Sequence, residues 1–237
     1  MRILRSVLTA LFFAIFGVCG FLLGILAIPI VSIFSRRASV ALLRASWRLF
    51  VAGLEIFRLI KLKKVGVNPE RSGYVIVANH PTLLDIVLLV ACYKNSICIV
   101  KKSLLYNFLL YPIIKGIFIV SDDFAPAVME EAAKALGRGL NVIIFPEGTR
   151  SDNPQKKIHR GAARIAISAN RPVLPVRISC EPPILGKKSN PLDVSDRTVL
   201  FTLEELEEIP PDASIGLNNS KKSRLLTAKI ANILNLE

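Results

Sequence analysis

The chain has 237 residues, enough for one large hydrophobic core plus an appendage, and 52% of them are hydrophobic. Lys and Arg number 31 against 18 Asp and Glu, and the net charge of +13 indicates an anionic partner. Zinc-finger spacing, ribonucleoprotein motifs and regular aromatic-basic alternation are absent from the sequence, which argues against nucleic acid as that partner.

The first segment of interest is an apolar run near the N-terminus. Residues 7–34 form a stretch of 28 residues without a charge, in which Thr9 and Ser32 are the polar side chains. A helix of this length reaches about 42 Å, more than the hydrocarbon thickness of ~30 Å. A cleaved signal peptide has an apolar region of only about 7–15 residues, so we predict a membrane-associated segment instead.

Two arrangements of this segment stay open. It crosses the bilayer once, or it forms a re-entrant or interfacial helical pair, bent near Gly20, Gly24 or Pro29, that dips into one leaflet. Arginines flank it on both sides, with more of them after it than before it. They are Arg2, Arg5, Arg36, Arg37, Arg44 and Arg48. Because basic residues prefer the cytoplasmic side, we expect the rest of the protein on the cytoplasmic face of the membrane.

Basic residues continue into the next part of the chain. They include Arg58, Lys61, Lys63 and Lys64, where cationic side chains would meet anionic lipid headgroups. A phospholipid membrane is therefore the partner that we predict from charge.

Beyond an amphipathic stretch at 38–60, short apolar segments alternate with helix-like ones. We predict strands at 61–67, 74–78, 96–100, 117–120, 141–145 and 173–179. We predict helices at 82–93, 104–114, 125–138, 161–170 and 221–234, and a less regular tail with a turn at Pro210-Pro211. This alternation indicates an α/β fold with a mainly parallel sheet flanked by helices. We divide the chain into membrane-anchoring helices at 1–60 and an α/β domain at 61–237.

The first candidate site follows the strand at 74–78. His80 lies just after this strand and before Pro81, where parallel sheets place ligands. Asp85 falls in the first turn of the next helix, from which its carboxylate can reach one imidazole nitrogen. The other nitrogen is then an acceptor, as a general base requires. A helix cap and a structural histidine are the alternatives for such a pair taken by itself.

A second motif follows the strand at 141–145, where residues 145–150 read Phe-Pro-Glu-Gly-Thr-Arg. Gly148 permits a turn that a side chain would resist, and Arg150 offers a planar fork of donors suited to phosphate. Thr149 adds a hydroxyl, and Glu147 is placed to fix the arginine or a substrate hydroxyl. The two motifs together indicate a base, its orienting carboxylate and an anion-binding group.

These residues resemble the glycerolipid acyltransferase family, which is typified by 1-acylglycerol-3-phosphate acyltransferase and includes the lysophospholipid acyltransferases. The resemblance covers about residues 61–179 and rests on four blocks. His80 with Asp85 matches the first block, and residues 145–150 match the third letter for letter. Lys156-Lys157 to Gly161 resembles the segment that follows, and residues 173–176 resemble the fourth block.

The resemblance implies transfer of a fatty acyl group from acyl-CoA or acyl carrier protein to the hydroxyl of a lysophospholipid such as 1-acylglycerol-3-phosphate. His80 would be the base and Asp85 would orient it, with no acyl-enzyme and no cofactor besides the donor. Substrate contacts are implied for Glu147, Gly148, Thr149, Arg150, Gly161 and Pro175, with Arg150 on the phosphate. Such an enzyme belongs to phospholipid biosynthesis.

One departure from the family pattern concerns the second block. That block ends in an acidic residue and an arginine, whereas this chain has Ser121 and Asp122 there. An anion in place of a cation argues against a simple phosphate-bearing acceptor, and Lys101, Lys102 or Arg160 are the residues that would compensate. An acyltransferase acting on a different acceptor therefore remains an alternative.

Other classes fit less well. A serine hydrolase motif Gly-x-Ser-x-Gly is absent from the sequence, and residues 186–189 lack the spacing of a phosphate-binding loop. A non-catalytic lipid-binding protein would share the charge and the apolar segment but would gain nothing from a His-Asp pair. Four scattered cysteines, Cys19, Cys92, Cys98 and Cys180, predict neither disulfides nor a zinc site.

Overall fold

The computed structural model describes residues 2–148, 158–186, 195–211 and 218–236. Its strands are β1 (Ile60–Val65), β2 (Val75–Ala78), β3 (Ser96–Val100), β4 (Ile119–Val120), β5 (Asn141–Ile144), β6 (Val173–Glu181) and β7 (Val199–Glu205). They form one sheet in the order β1-β7-β6-β2-β5-β3-β4. All neighbours are parallel except β6 and β7. The predicted α/β fold with a mainly parallel sheet is thus confirmed.

The strands β2, β3 and β5 are buried on both faces, as apolar runs such as Val75–Ala78 require in a sheet covered by helices. The helices are α1 (Arg2–Leu22), α2 (Ile28–Phe34), α3 (Arg36–Ile56), α4 (Asp85–Cys92), α5 (Tyr111–Ile117), α6 (Pro126–Gly137), α7 (Gly161–Ala169) and α8 (Asn219–Leu234). A π-helical turn at Leu23–Ala27 joins α1 to α2, and a 3₁₀ turn spans Lys102–Tyr106.

The helices divide between the two faces of the sheet. The chain moves outward from β2 to β3 and β4, and then back to β5 and β6. Right-handed crossovers therefore set α4 and α5 on one face and α6 and α7 on the other. The N-terminal helices pack on the first face, where α3 contacts α4 and α5, while α8 packs on α7 and β6 on the second.

The N-terminal helix lies lengthwise along the first face. Its segment Arg5–Phe34 has 30 residues, and an 18-residue window within it has a mean hydropathy of 2.7, so it is long and apolar enough to cross a membrane. Gly24 lies against α5, because a Cβ there would come within 2.7 Å of the Pro112 Cβ. Nearer its N-terminus, Phe16 stacks on Phe50 of α3 with ring centroids 4.1 Å apart. One stripe of the helix is thus buried against protein, and the opposite stripe stays exposed.

The helix α3 begins abruptly after this long helix. Ser35 adopts an extended conformation that ends α2, and its hydroxyl accepts a hydrogen bond from the Ala38 amide. A serine in this position satisfies one of the amides that the first turn leaves without a partner. The chain therefore reverses, and α3 runs back along α1.

Some predicted elements differ from the structure. The helix predicted at 104–114 is instead the 3₁₀ turn followed by α5, because Pro112 sets the first turn of a new helix. Since α5 continues to Ile117, β4 begins only at Ile119, and the helix predicted from residue 82 begins at Asp85.

The predicted irregular tail was wrong where it contains β7. Its inward residues Val199, Phe201 and Leu203 alternate with less buried ones, a period-two pattern that the sequence carries.

Candidate active site

The two sequence motifs meet at the carboxyl ends of β2 and β5, which are parallel neighbours. His80 follows β2 and Phe145 follows β5, and their rings stack with centroids 4.2 Å apart and an interplanar angle of 19°. Carboxyl ends of parallel strands are where open α/β sheets hold ligands. The stacking fixes the plane of the imidazole, a role of Phe145 that the sequence did not reveal.

Asp85 holds the imidazole through one ring nitrogen. Its Oδ2 lies 2.7 Å from His80 Nδ1, and the carboxylate is fully buried. The Thr82 amide donates to the same oxygen at 2.7 Å, and the Thr82 hydroxyl donates to Oδ1 at 2.5 Å. A carboxylate facing Nδ1 favours the tautomer protonated there, which leaves Nε2 as an acceptor. The His80 side chain is 18% exposed, so a substrate can reach the ring.

The N-terminal position of Asp85 also helps to keep its charge buried. Asp85 is the first residue of α4, where the helix dipole favours a negative charge. No Lys or Arg among the described residues pairs with this carboxylate, which the helix dipole and three hydrogen bonds hold instead. Thr82, which supplies two of these hydrogen bonds, was not singled out from the sequence.

Glu147 makes one contact that the sequence did not predict. Its Oε1 accepts a hydrogen bond of 3.0 Å from the backbone amide of His80. The predicted contact with Arg150 lies outside the described residues. The Glu147 side chain is 5% exposed. Glu147 therefore ties the two motif loops together.

Gly148 makes the turn that follows Glu147. Its φ is +64°, a left-handed conformation that a side chain resists, and its amide donates to Phe145 O. A Cβ at this position would also lie 3.3 Å from the ring of His159. The loop after β5 thus approaches the segment that leads into α7.

Asn79 anchors the loop that carries His80. Its side-chain amide donates to Ile178 O at 2.8 Å, and its Oδ1 accepts from Ile178 N at 2.7 Å. This pair of hydrogen bonds ties the end of β2 to β6. Asn79 directly precedes His80, but its role depends on a residue 99 positions away and could not be read from the sequence.

The other predicted site residues within the described part of the chain are Gly161 and Pro175. Gly161 begins α7 beneath Phe124, whose ring would be 2.5 Å from a Cβ there. Pro175 is buried in β6 beside Val77, and its carbonyl accepts from Leu206 N. Thr149 and Arg150, like Lys156-Lys157, lie outside the described residues.

In the second block, the Asp122 carboxylate already has a hydrogen-bond partner. Asp122 Oδ1 accepts a hydrogen bond of 3.1 Å from the Lys102 amide, at the start of the 3₁₀ turn. Lys101 follows β3, and its Cε is 4.0 Å from the position that a Gly148 Cβ would take. Of the two lysines, Lys101 is the one whose side chain extends toward the motif loops.

Cysteines and clusters of metal-ligating side chains are the other groups that could carry chemistry. The described residues contain no group of three or more His, Cys, Asp or Glu side chains that could hold a metal ion. All four cysteines are free. Burial raises the pKa of the Cys180 thiol to about 11, and the Asp85 carboxylate acts in the same direction. A protonated Cys180 is a poor nucleophile at neutral pH.

Comparison with known proteins identifies the family of this chain. The family profile described as Acyltransferase matches residues 60–179, half of the chain, and includes both motifs. The chain belongs to the acyltransferase family.

Several relatives of this acyltransferase have names that state their activity. It is 27% identical to mouse 1-acyl-sn-glycerol-3-phosphate acyltransferase alpha over 86% of its own length and 75% of the relative's. It is 28% identical to the Pseudomonas aeruginosa 1-acyl-sn-glycerol-3-phosphate acyltransferase over 74% of its own length and 72% of the relative's.

A solved structure shares the fold of this acyltransferase. The 1-acyl-sn-glycerophosphate acyltransferase PlsC of Thermotoga maritima superimposes with a TM-score of 0.68 at 22% identity, covering 100% of this chain and 99% of the other.

Proposed function

We propose that this acyltransferase moves a fatty acyl group from a thioester donor to the free hydroxyl of a membrane lysophospholipid. The relatives' names favour 1-acylglycerol-3-phosphate as the acceptor. The observation that carries the proposal is the buried Asp85 carboxylate on His80 Nδ1, which leaves Nε2 available as a base.

The reaction needs only these groups and the two substrates. His80 Nε2 takes the proton of the acceptor hydroxyl as the oxygen attacks the thioester carbonyl carbon. An ester C–O bond forms, the C–S bond breaks, and the leaving thiolate takes the proton back from the imidazolium. Asp85 stabilises the positive imidazolium between these two steps. The stacked Phe145 ring keeps the imidazole oriented throughout.

Lys101 is our candidate for the cation that the second block lacks. Its side chain reaches toward Gly148, whereas Asp122 is engaged by the Lys102 amide. A carboxylate so engaged can share the site with a phosphate that Lys101 neutralises. Arg150 of the third block is expected to be the second phosphate ligand. This arrangement supports an acceptor with a phosphate in spite of Asp122.

The N-terminal helix is proposed to lie in one leaflet, with the α/β domain on the cytoplasmic face. Because the helix packs lengthwise on α3 and α5, crossing the bilayer would carry the domain into the hydrocarbon. The exposed stripe of the helix is apolar, and it continues into exposed aromatic side chains beside α5. The stripe and its continuation include Leu11, Ile15, Val18, Leu22, Ile25, Ile33, Tyr106 and Phe108. An apolar face flanked by arginines suits the interface between hydrocarbon and headgroups.

The test is a transfer assay with purified protein in phospholipid vesicles. Labelled acyl-CoA and acyl carrier protein are offered with lysolipids that carry or lack a terminal phosphate. His80→Ala is expected to lose at least a hundredfold in kcat while still co-sedimenting with the vesicles. If the wild type and this variant both bound the vesicles and neither transferred an acyl group to any acceptor, the protein would be a non-catalytic lipid-binding protein.

Lys101→Gln tests the acceptor within the same assay. We expect KM for the phosphate-bearing lysolipid to rise about tenfold, the effect of losing a hydrogen bond to a charged group. Lys102→Gln is the matched control, because its backbone contact with Asp122 survives the change. Equal effects of Lys101→Gln on acceptors with and without phosphate would favour the alternative acceptor class.

A further inference from the structure

A cavity of about 510 Å³ lies on the face of the sheet opposite the N-terminal helices. It is open to solvent and lies between α6, α7 and the first turn of α8. Arg160 and Arg164 line its α7 side, Ser168 lies further along the same helix, and Ser220 lines the α8 side. None of these four residues takes part in the catalytic geometry described above.

The charges in this cavity lack a counter-ion. Arg160 immediately precedes α7, and Arg164 follows one turn later, with its amide bonded to Arg160 O. Like charges at this spacing repel each other, so the pair does not stabilise the helix. Among the described residues no carboxylate pairs with either guanidinium. The sequences of α7 and α8 contain no Asp or Glu.

Such a cavity is suited to a phosphate ligand. Guanidinium groups present planar forks of donors that match phosphate oxygens. Met129 and Ile167 supply an apolar part of the wall, suited to the face of a ring. The combination fits a phosphorylated nucleotide better than an isolated anion.

The cavity is connected to the active-site loops through one residue. His159, which precedes Arg160, donates its backbone amide to Pro146 O at 2.9 Å, and its ring lies beside Gly148. The cavity also opens on the face of the sheet that carries no N-terminal helix. If those helices lie in the leaflet, this face meets water, from which a soluble thioester donor arrives.

We propose that this cavity binds the phosphorylated nucleotide of an acyl-CoA donor, with Arg160 and Arg164 on its phosphates. The inference rests on the proposed function, because it assigns the donor for that reaction. A concave site fits a nucleotide, whereas the acidic surface of an acyl carrier protein would need basic residues on a convex surface.

The experiment is a calorimetric titration of the full-length protein in detergent with CoA, which requires no turnover. We expect Arg160→Gln and Arg164→Gln each to weaken CoA binding at least tenfold. Lys229→Gln is the matched control, because it removes one positive charge from an exposed position on α8 outside the cavity. It should change the affinity less than twofold.

Transfer kinetics complete the test. In both arginine variants KM for acyl-CoA should rise about tenfold with kcat unchanged, while KM for acyl-pantetheine, which lacks the nucleotide, should stay the same. Unchanged CoA affinity in the variants, or a rise in KM confined to acyl carrier protein, would overturn the proposal.

A wild type that binds CoA in an arginine-dependent manner but transfers no acyl group would support the cavity and refute the proposed function. Failure of one proposal is thus distinguishable from failure of the other.

Discussion

Replacing Asp85 by Asn is the sharpest test of the site, because it keeps the shape of the side chain and removes its charge. Asp85 accepts hydrogen bonds from His80 Nδ1, the Thr82 amide and the Thr82 hydroxyl, at 2.7, 2.7 and 2.5 Å. A carboxamide has one acceptor oxygen instead of two. The Thr82 amide can only donate, so the carboxamide oxygen takes the position of Oδ2 and the NH₂ group faces the Thr82 hydroxyl. His80 Nδ1 then keeps an acceptor, but the negative charge that stabilises the imidazolium is lost.

The expected loss follows from that missing charge. The imidazolium that forms when His80 takes the hydroxyl proton is less stable beside a neutral carboxamide, and general base catalysis contributes about 10²–10⁴-fold to the rate. We expect kcat to fall about a thousandfold, or about 4 kcal/mol of transition-state stabilisation. KM for the acceptor should change less than threefold, because Asp85 is fully buried behind His80. The free energy of unfolding should fall by about 1–3 kcal/mol through the lost charged hydrogen bonds.

The assay measures initial rates in vesicles together with denaturant unfolding of the same preparation. Thr82→Ala serves as the control, since it removes a hydrogen bond from Asp85 but leaves the carboxylate on His80. It should destabilise the fold comparably while kcat stays within tenfold of the wild type. If Asp85→Asn lost only stability and kept kcat within tenfold, Asp85 would be a structural cap and the general-base reasoning would be refuted.

Three further changes have expected outcomes of different kinds. Gly161→Ala should lower the free energy of unfolding by about 1–3 kcal/mol, because the new Cβ would come 2.5 Å from the Phe124 ring. Adding Phe124→Leu to this variant should restore part of the stability. If the double variant were no more stable, the steric explanation would be wrong. Glu205→Gln should lower the free energy of unfolding by about 2–3 kcal/mol, because the nearly buried carboxylate accepts hydrogen bonds from Arg71 at 2.9 Å and from Tyr93 at 3.0 Å. An unchanged midpoint in chemical denaturation would refute this. Alkylation of Cys180, followed by mass spectrometry, should accelerate about tenfold per pH unit from pH 7 to 10, because a pKa raised to about 11 leaves the thiol protonated over that range; a plateau below pH 9 would contradict it.

Much of the fold could be predicted because its signals are local. Apolar runs such as 74–78 and 141–145, separated by helix-like segments, specify parallel strands without reference to distant residues. The strand β7 was missed for the opposite reason. Its partners β1 and β6 lie elsewhere in the chain, and its alternating pattern is short and half polar. Pro112 sets a later start for α5 than we predicted, although a proline in the first turn of a helix is a local signal.

The site divides in the same way. The spacing of His80 and Asp85 placed both on one strand-to-helix junction, so their contact could be predicted from five positions of sequence. Glu147 and Asn79 act through partners 67 and 99 positions away, and such contacts exist only after the sheet has formed. The sequence therefore predicts which residues carry the chemistry better than it predicts which residues hold them.

The position of His80 would allow the proposed base to serve two substrates of opposite solubility. Its imidazole is held by Asp85 of α4, and α4 packs on α3, beside the helices that we propose lie in the leaflet. Its backbone is held by Glu147, and the next residue, Gly148, lies beside His159, which leads into α7 and the arginine cavity.

The proposed base thus lies at the sheet edge, between the apolar face that carries the N-terminal helices and the basic face that carries the arginine cavity. The acceptor would reach Nε2 from the apolar face and the donor from the basic face. Neither substrate would then have to leave its own medium, lipid or water. This geometry requires that weakening the arginine cavity affect the donor KM alone, and that changes at Lys101 affect the acceptor KM alone. A variant of either kind that changed both constants would show that the two substrates share one path.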